Sequence, residues 1–267
     1  MRVVLGLEYD GTAFCGWQSQ LEGCAVQDAV DRAISGIAGE KLTSTCAGRT
    51  DAGVHALAQV VHFDTGATRP PTAWTRGVNT LLPPGVAVTW AREIDASFHA
   101  RFSAQGRRYT YWLLNRSQRP GLLHGRVGWF HRPLDHETMS EAANSLLGEH
   151  DFSAFRAAEC QAKSPVKNMR AARISRRGDL LRLDFSADAF LQHMVRNLVG
   201  ALVYVGSGRQ SVAWFQDILA SRDRTRCAPT FSPAGLYLAA VTYDASWQLP
   251  PGPDLEMFEE ALAANNG

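Results

Sequence analysis

The chain has 267 residues, 45% of them hydrophobic and 20% charged, with a formal net charge of +1. This is the composition of an ordinary globular protein, long enough for one large or two modest domains with real cores. It excludes a chain that is basic overall, and no apolar run reaches the length needed to cross a bilayer.

The opening stretch, MRVVLGLEYDG, alternates Val3, Leu5, Leu7 and Tyr9 and stops at Asp10-Gly11. It reads as a strand ending in a turn, not as a signal peptide. Between Ala25 and Ile37 the apolar residues Val26, Val30, Ala33, Ile34 and Ile37 recur at helical spacing, and Gly39 lies just beyond. Short strands are predicted over 42–46 and 59–64, and a helix over 72–82 that Pro83-Pro84-Gly85 ends. Val86, Val88 and Trp90 alternate again. Residues 107–114 read as a strand and 117–125 as a Pro/Gly loop. A helix begins near Asp135, a good N-cap, and runs to Gly148. Strands over 170–175 and 180–186 flank a turn, and 190–205 is a strongly apolar helix. A shorter helix over 212–219 and a strand over 236–243 complete the series. The tail after Asp244 looks loosely organised. Irregular interleaving with hairpins predicts an α+β fold with antiparallel or mixed sheets, not a doubly wound one. Two domains are expected, 1–105 and 106–267, although no flexible linker marks the boundary.

The five cysteines stand singly, without C-x-x-C or zinc spacing. An odd count without a framework predicts reduced thiols and a cytoplasmic protein. The cations are almost all arginine, since Lys41, Lys163 and Lys167 are the only lysines. Arg107-Arg108, Arg170 with Arg173, Arg176-Arg177, and Arg222, Arg224 and Arg226 form clusters. Arginine forks suit phosphate; such clusters also suit solvated faces. A local basic cleft fits both.

Four stretches carry candidate chemistry. In AGRTDAGVHA, residues 47–56, Asp51 sits in a sharp bend between Gly48 and Gly53, and Thr50 can brace it. A nearby arginine would keep such a carboxylate ionised, fit to act as nucleophile or base. The alternative is an Asx-type turn with a surface ion pair. Arg196 lies inside the most apolar helix, whose buried stripe is Phe190, Met194, Leu198, Ala201, Leu202 and Val205. A buried arginine needs a carboxylate partner, for which Asp51 is a candidate; an outward, snorkelling arginine needs none. Tyr109, on a strand beside Arg107 and Arg108, suits base stacking or core packing. In FHARFSA, Arg101 between Phe98 and Phe102 suits a nucleic-acid backbone or stacked base, and an ordinary edge strand equally. Asp51 and His55 are four apart but gain no further metal-ligand pattern from His62 or His99, and there is no phosphate-binding loop, dinucleotide fingerprint or serine elbow.

These residues carry a resemblance. AGRTDAGVHA resembles the signature of the pseudouridine synthases of the TruA type. LEYDGTAFCGWQSQ, FHARFSAQGRRYTYWLLN, LLGEHDFSAFRA, HMVRNLVGALVYVG and GLYLAAVTY are similar to the family's other blocks, in order along nearly the whole chain. The resemblance implies two α+β halves around a central basic cleft. It implies isomerisation of uridine to pseudouridine at positions 38, 39 and 40 of the tRNA anticodon stem-loop. It also implies no cofactor, no metal and a homodimer. By the same resemblance Asp51 is the essential carboxylate, Arg196 its partner and Tyr109 the residue stacking on the uracil. Arg49 fills the space of the flipped base. Arg69, the run Phe98, His99, Ala100, Arg101 and Phe102, and the loop Glu159, Cys160, Gln161, Ala162 and Lys163 hold the RNA. A non-catalytic RNA-binding module explains the arginines and aromatics but not a fixed carboxylate, which repels phosphate. A glycoside or nucleoside hydrolase generally requires two carboxyl groups, and the catalytic stretch offers one.

Overall fold

The computed structural model describes residues 1–253, and they form two compact units. The first contains Met1–Gln105 together with Tyr237–Pro253; the second contains Gly106–Leu236. The sequence reading assigns everything after residue 105 to one domain, whereas 237–253 group with the first unit. Residues 254–267, the remainder of the tail, lie outside the described residues.

The first unit is built on three antiparallel strands in the order β4 (Val86–Ile94), β1 (Arg2–Tyr9), β3 (His55–Asp64). The short β2 (Thr45–Cys46) pairs antiparallel with β3. The late strand β10 (Leu236–Tyr243) pairs parallel with it, Tyr237 opposite His55. The β1–β3 register puts Val3 with Phe63 and Leu5 with Val61 on one face, and Val4 with His62 on the other. Both faces are covered. Trp74 stands edge-on to Phe63 at 5.2 Å on the first. On the second, Val4, Val60, Phe98 and Ala100 form a buried cluster under Trp90, Tyr243, Trp247 and Leu249. The stretch 245–249 is therefore packed, not loose: the Trp247 ring lies 5.1 Å from that of Phe98.

Helix α1 (Val26–Ala38) buries Val26, Val30, Ala33 and Ile34, as its spacing predicts. The Asp28 carboxylate accepts the Ala25 N–H at 3.0 Å, and Gly39 closes the other end through Ser35 O. The predicted helix over 72–82 is less regular. A wide π-type turn at Ala73–Gly77 precedes one α turn, α2 (Val78–Leu81). The diprolyl pair before it and Gly77 within it weaken regular helix.

The second unit has the strand order β5 (Ala104–Asn115), β9 (Leu180–Ala187), β8 (Val166–Arg177), β7 (Gly148–Asp151), all antiparallel, with β6 (Gly128–Phe130) parallel to β5. Helices α3 (His136–Asn144), α4 (Met194–Gly206) and α5 (Val212–Ser221) pack together, α3 also on β8. Asp135 caps α3 by accepting the N–H groups of Glu137 and Thr138. The apolar helix α4 starts at Met194 rather than residue 190, because His193 turns the chain at φ 61°.

Asn197 is a polar side chain sealed inside this unit. Asn197 on α4 donates to Phe155 O at 2.8 Å and accepts from Thr230 Oγ1 at 2.7 Å and Arg224 Nη2 at 3.1 Å. Asn197→Leu strips these groups of their shared partner. It is expected to lower stability by about 2 kcal/mol, read as a lower urea midpoint with an unchanged slope.

Candidate active site

The Asp51 turn joins β2 to β3 and is held along its length. At its start, buried Gln59 donates from Nε2 to Gly48 O at 2.6 Å, while its Oε1 accepts the Gly48 N–H at 3.4 Å. At Thr50, the hydroxyl bonds Tyr9 OH at 2.8 Å and the carbonyl accepts the Trp17 N–H at 3.0 Å. Asp51 O accepts from Val54 N at 3.1 Å, and Gly53 supplies the positive φ of 75° that closes the bend. Directly after it, buried His55 accepts the Gly11 N–H through Nδ1 at 3.1 Å and stacks on Tyr237 at 4.5 Å. Asp51 is half-buried on this mount and Arg49 is exposed.

The braces come from β1 and from the segment after it, both remote in sequence from the turn, and from β3, the strand that leaves it. The sequence reading misses Tyr9, Trp17 and Gln59. Gln59 leaves the clearest trace, as an amide within the largely apolar strand β3, and the fold buries it completely.

Residues 98–102 are tied to the same unit. Arg2 makes a two-toothed pair with Asp64, at 2.8 and 2.7 Å, and also donates to Ala96 O and Phe98 O. Ala100 N–H donates to His62 Nδ1 at 3.2 Å, and Tyr243 OH to Ala100 O at 2.6 Å. His99 Nδ1 accepts the N–H groups of Arg101 and Phe102 and so shapes the tip. Phe98 is fully buried, while Phe102 is 78% exposed and stacks on His99 at 4.2 Å. Arg101 and Phe102 are thus the presented pair, with the guanidinium carbon 6.0 Å from the ring centre. Arg69 is exposed but engaged, donating to Ile37 O and Ala38 O at the end of α1.

Tyr109, Arg196 and residues 159–163 belong to the second unit. Tyr109 is buried on β5 and meets Phe190 edge-on at 5.0 Å. Arg196 is half-buried on α4; its Nε donates to Phe231 O at 2.9 Å, and its carbonyl accepts the Phe231 N–H. Around 159–163, Arg156 donates to the carbonyls of Cys160 and Ala162, leaving Glu159, Gln161 and Lys163 exposed. Burial pushes the Cys160 thiol up, but the N–H groups of Ala162 and Gln192, with Arg156, outweigh it and hold it below the usual thiol value.

The expectation that all cysteines are reduced is corrected. Cys15 and Cys24 form a disulfide with Cα atoms 5.5 Å apart, leaving Cys46, Cys160 and Cys227 as thiols. Nine positions separate the pair, and spacing alone says nothing of the turn that brings them together. Among the described residues, no group of three His, Cys, Asp or Glu side chains gathers as a metal site.

A family model described as tRNA pseudouridine synthase matches residues 7–103 and 142–244, which takes in the Asp51 turn, the 98–102 segment and Arg196. The chain belongs to the tRNA pseudouridine synthase family. Membership places it among the isomerases that act on tRNA. A tRNA pseudouridine synthase A of Thiobacillus denitrificans is 63% identical over 250 residues, covering 94% of this chain and 96% of the relative. Its counterpart in Dechloromonas aromatica is 60% identical, covering 94% and 95%. Among solved structures, the archaeal box H/ACA sRNP Nop10–Cbf5 complex contains a similar chain. That match has 12% identity and a TM-score of 0.35, and covers 84% of this chain but only 60% of that one.

The His62–His99 contact, with ring centres 4.6 Å apart, makes the 98–102 segment acid-sensitive. Burial, then His99 and Arg2, push His62 from its ordinary 6.5 down to about 4. Burial, then Arg2, lower His99 too. Between those values of His62 the unfolded chain binds a proton that the fold refuses, so stability is full above pH 6.5 and is lost as the pH falls towards about 4. His62→Asn, which keeps an acceptor for Ala100 N–H, is expected to flatten that part of a pH–melting curve.

Proposed function

We propose that this protein isomerises uridine to pseudouridine at positions 38, 39 and 40 of the tRNA anticodon stem-loop, with Asp51 as the essential carboxylate. The observation that carries this reading is the clamped Asp51 turn within the Arg-Thr-Asp-Ala-Gly-Val-His stretch of a family member. Gln59, Tyr9 and Trp17 hold the turn's backbone, so the carboxylate meets its target with little orientational freedom left to lose.

The reaction breaks the C1′–N1 bond, turns the uracil and joins C5 to C1′. Asp51 either attacks C1′ or removes a C2′ proton to give a glycal. A stacked uridine is beyond the reach of any carboxylate, so it must first leave the helix. Arg49, exposed two residues from Asp51, fills the space it vacates. Tyr109 stacks on the uracil, its ring oriented by Phe190. Arg196, anchored by Nε on Phe231 O, is the cation that this reading assigns to Asp51.

Arg101, Phe102 and Lys163 are the exposed members of the two RNA-holding segments best suited to phosphate and base. Arg69 adds phosphate contact from the end of α1. These exposed groups account for RNA binding at a net charge of only +1. The same reading makes the protein a cytoplasmic homodimer that needs neither metal nor cofactor.

The direct test is incubation with unmodified tRNA followed by mapping of pseudouridine in the anticodon arm. Product at positions 38, 39 and 40 supports the reading, while binding without product leaves only an RNA-binding module. Asp51→Asn is expected to abolish product while tRNA affinity stays within about twofold, because the change removes an anion and no phosphate contact. Arg49→Ala is expected to lower the single-turnover rate more than the affinity; equal losses in both would remove its part in flipping.

A further inference from the structure

The segment 15–27 lies directly against the Asp51 turn. Gly16 has φ 99°, and a side chain there would stand 2.9 Å from Thr50 O and 3.2 Å from the Asp51 carbonyl carbon. Trp17, buried with its ring 5.9 Å from that of Tyr9, donates its N–H to Thr50 O. The carbonyls of Gly16 and Trp17 in turn accept the N–H groups of Val26 and Gln27, each at 3.0 Å, at the start of α1. Gly16 and Trp17 are thus a strap between helix α1 and the catalytic turn. Immediately after them the chain makes an exposed excursion, 18–23, and returns at Cys24. The Cys15–Cys24 disulfide closes that excursion at its base, beside the single backbone bond from Cys15 N to Cys24 O.

We infer that the Cys15–Cys24 disulfide is a positioning element for Asp51, and that its reduction slows pseudouridine formation without weakening tRNA binding. The inference rests on the reading of Asp51 given above. A covalent link removes most of the freedom of the ten-residue ring it closes. Once it is cut, the ends of the excursion keep the backbone bonds from Cys15 N to Cys24 O, Val26 N to Gly16 O and Gln27 N to Trp17 O, and Ser19 stays bonded to Gln27 and Asp28. The covalent limit on the separation of the ends is gone, however, and the strap carries that looser motion to Thr50 O. Sub-ångström displacement of a reacting group is enough to lower a rate. None of the RNA-holding residues proposed above lies on the strap, so affinity is untouched.

The pair is also placed to be switched. Cys15 is exposed, whereas Cys160 is buried and Cys46 and Cys227 are partly buried. A thiolate of an external dithiol attacks Cys15 Sγ, the S–S bond breaks, and Cys24 leaves as a thiolate and takes a proton. The second thiol of the reagent then displaces Cys15, which is protonated in turn. Two electrons and two protons pass to the protein pair, and the dithiol ends as its own disulfide.

The test uses the full chain, purified without reductant and divided between dithiothreitol and oxidised glutathione. Alkylation in denaturant followed by mass measurement should count three thiols in the oxidised form, against all five cysteines in the reduced form. Single-turnover rates on saturating unmodified tRNA should be roughly two- to tenfold lower when reduced, with an unchanged Kd. The double variant Cys15→Ser, Cys24→Ser should match the reduced rate and ignore both reagents. Five thiols after the oxidised treatment, or equal rates in the two forms, would overturn the inference. So would a Kd that changes in step with the rate, or a redox effect that survives in the double variant. Absence of pseudouridine in both forms instead overturns the isomerase reading, and this inference with it.

Discussion

The hydrogen bonds between the Gln59 amide and the backbone of Gly48 are the constraint on which the Asp51 turn depends. A sharp turn cannot satisfy its own backbone groups, and a free one would sample many conformers. Gln59 lies on the strand that leaves the turn, so the turn is fastened to its own exit. Tyr9 then fixes Thr50 from the neighbouring strand, and Trp17 fixes it from the segment leading into α1. Because Gln59 is fully buried, water cannot stand in for either contact. The rigidity of the turn is thus a property of the β1–β3 pair more than of the glycines within it.

In the second unit a comparable task falls to α4. Its apolar surface is buried almost all round, which fixes the helix by packing alone. That leaves Arg196 as a partly exposed cation on a rigid support, oriented by the reciprocal bonds with Phe231. Asn197, the next residue, ties the same helix to Phe155, Arg224 and Thr230. A flexible cation becomes a directed one because its neighbours spend their polar groups on the surrounding loops.

Much of this was legible in the sequence wherever one element faced one core. The alternation of β1, the spacing of α1 and the Asp135 cap each mark an element close to its true bounds. Strand β7, with the polar sequence GEHD, carries no such pattern and exists because β8 pairs with it. The Asp51 turn was legible from its glycines and from the resemblance, but its braces were not, since Tyr9 and Gln59 are 42 and 8 positions from Asp51. The cysteines misled for the same reason: an odd total hides a pair that only the fold of the 18–23 excursion brings together.

The return of residues 237–253 to the first unit has a bearing on synthesis. A ribosome finishes all of 106–236 before it makes the strand that stacks Tyr237 on His55 and the Trp247 side chain that covers Phe98. The unit that begins first is therefore completed after its neighbour has been translated. Until then its sheet carries an unpaired edge at β3 and an uncovered apolar face, the exposures that chaperones recognise and that favour association between nascent chains.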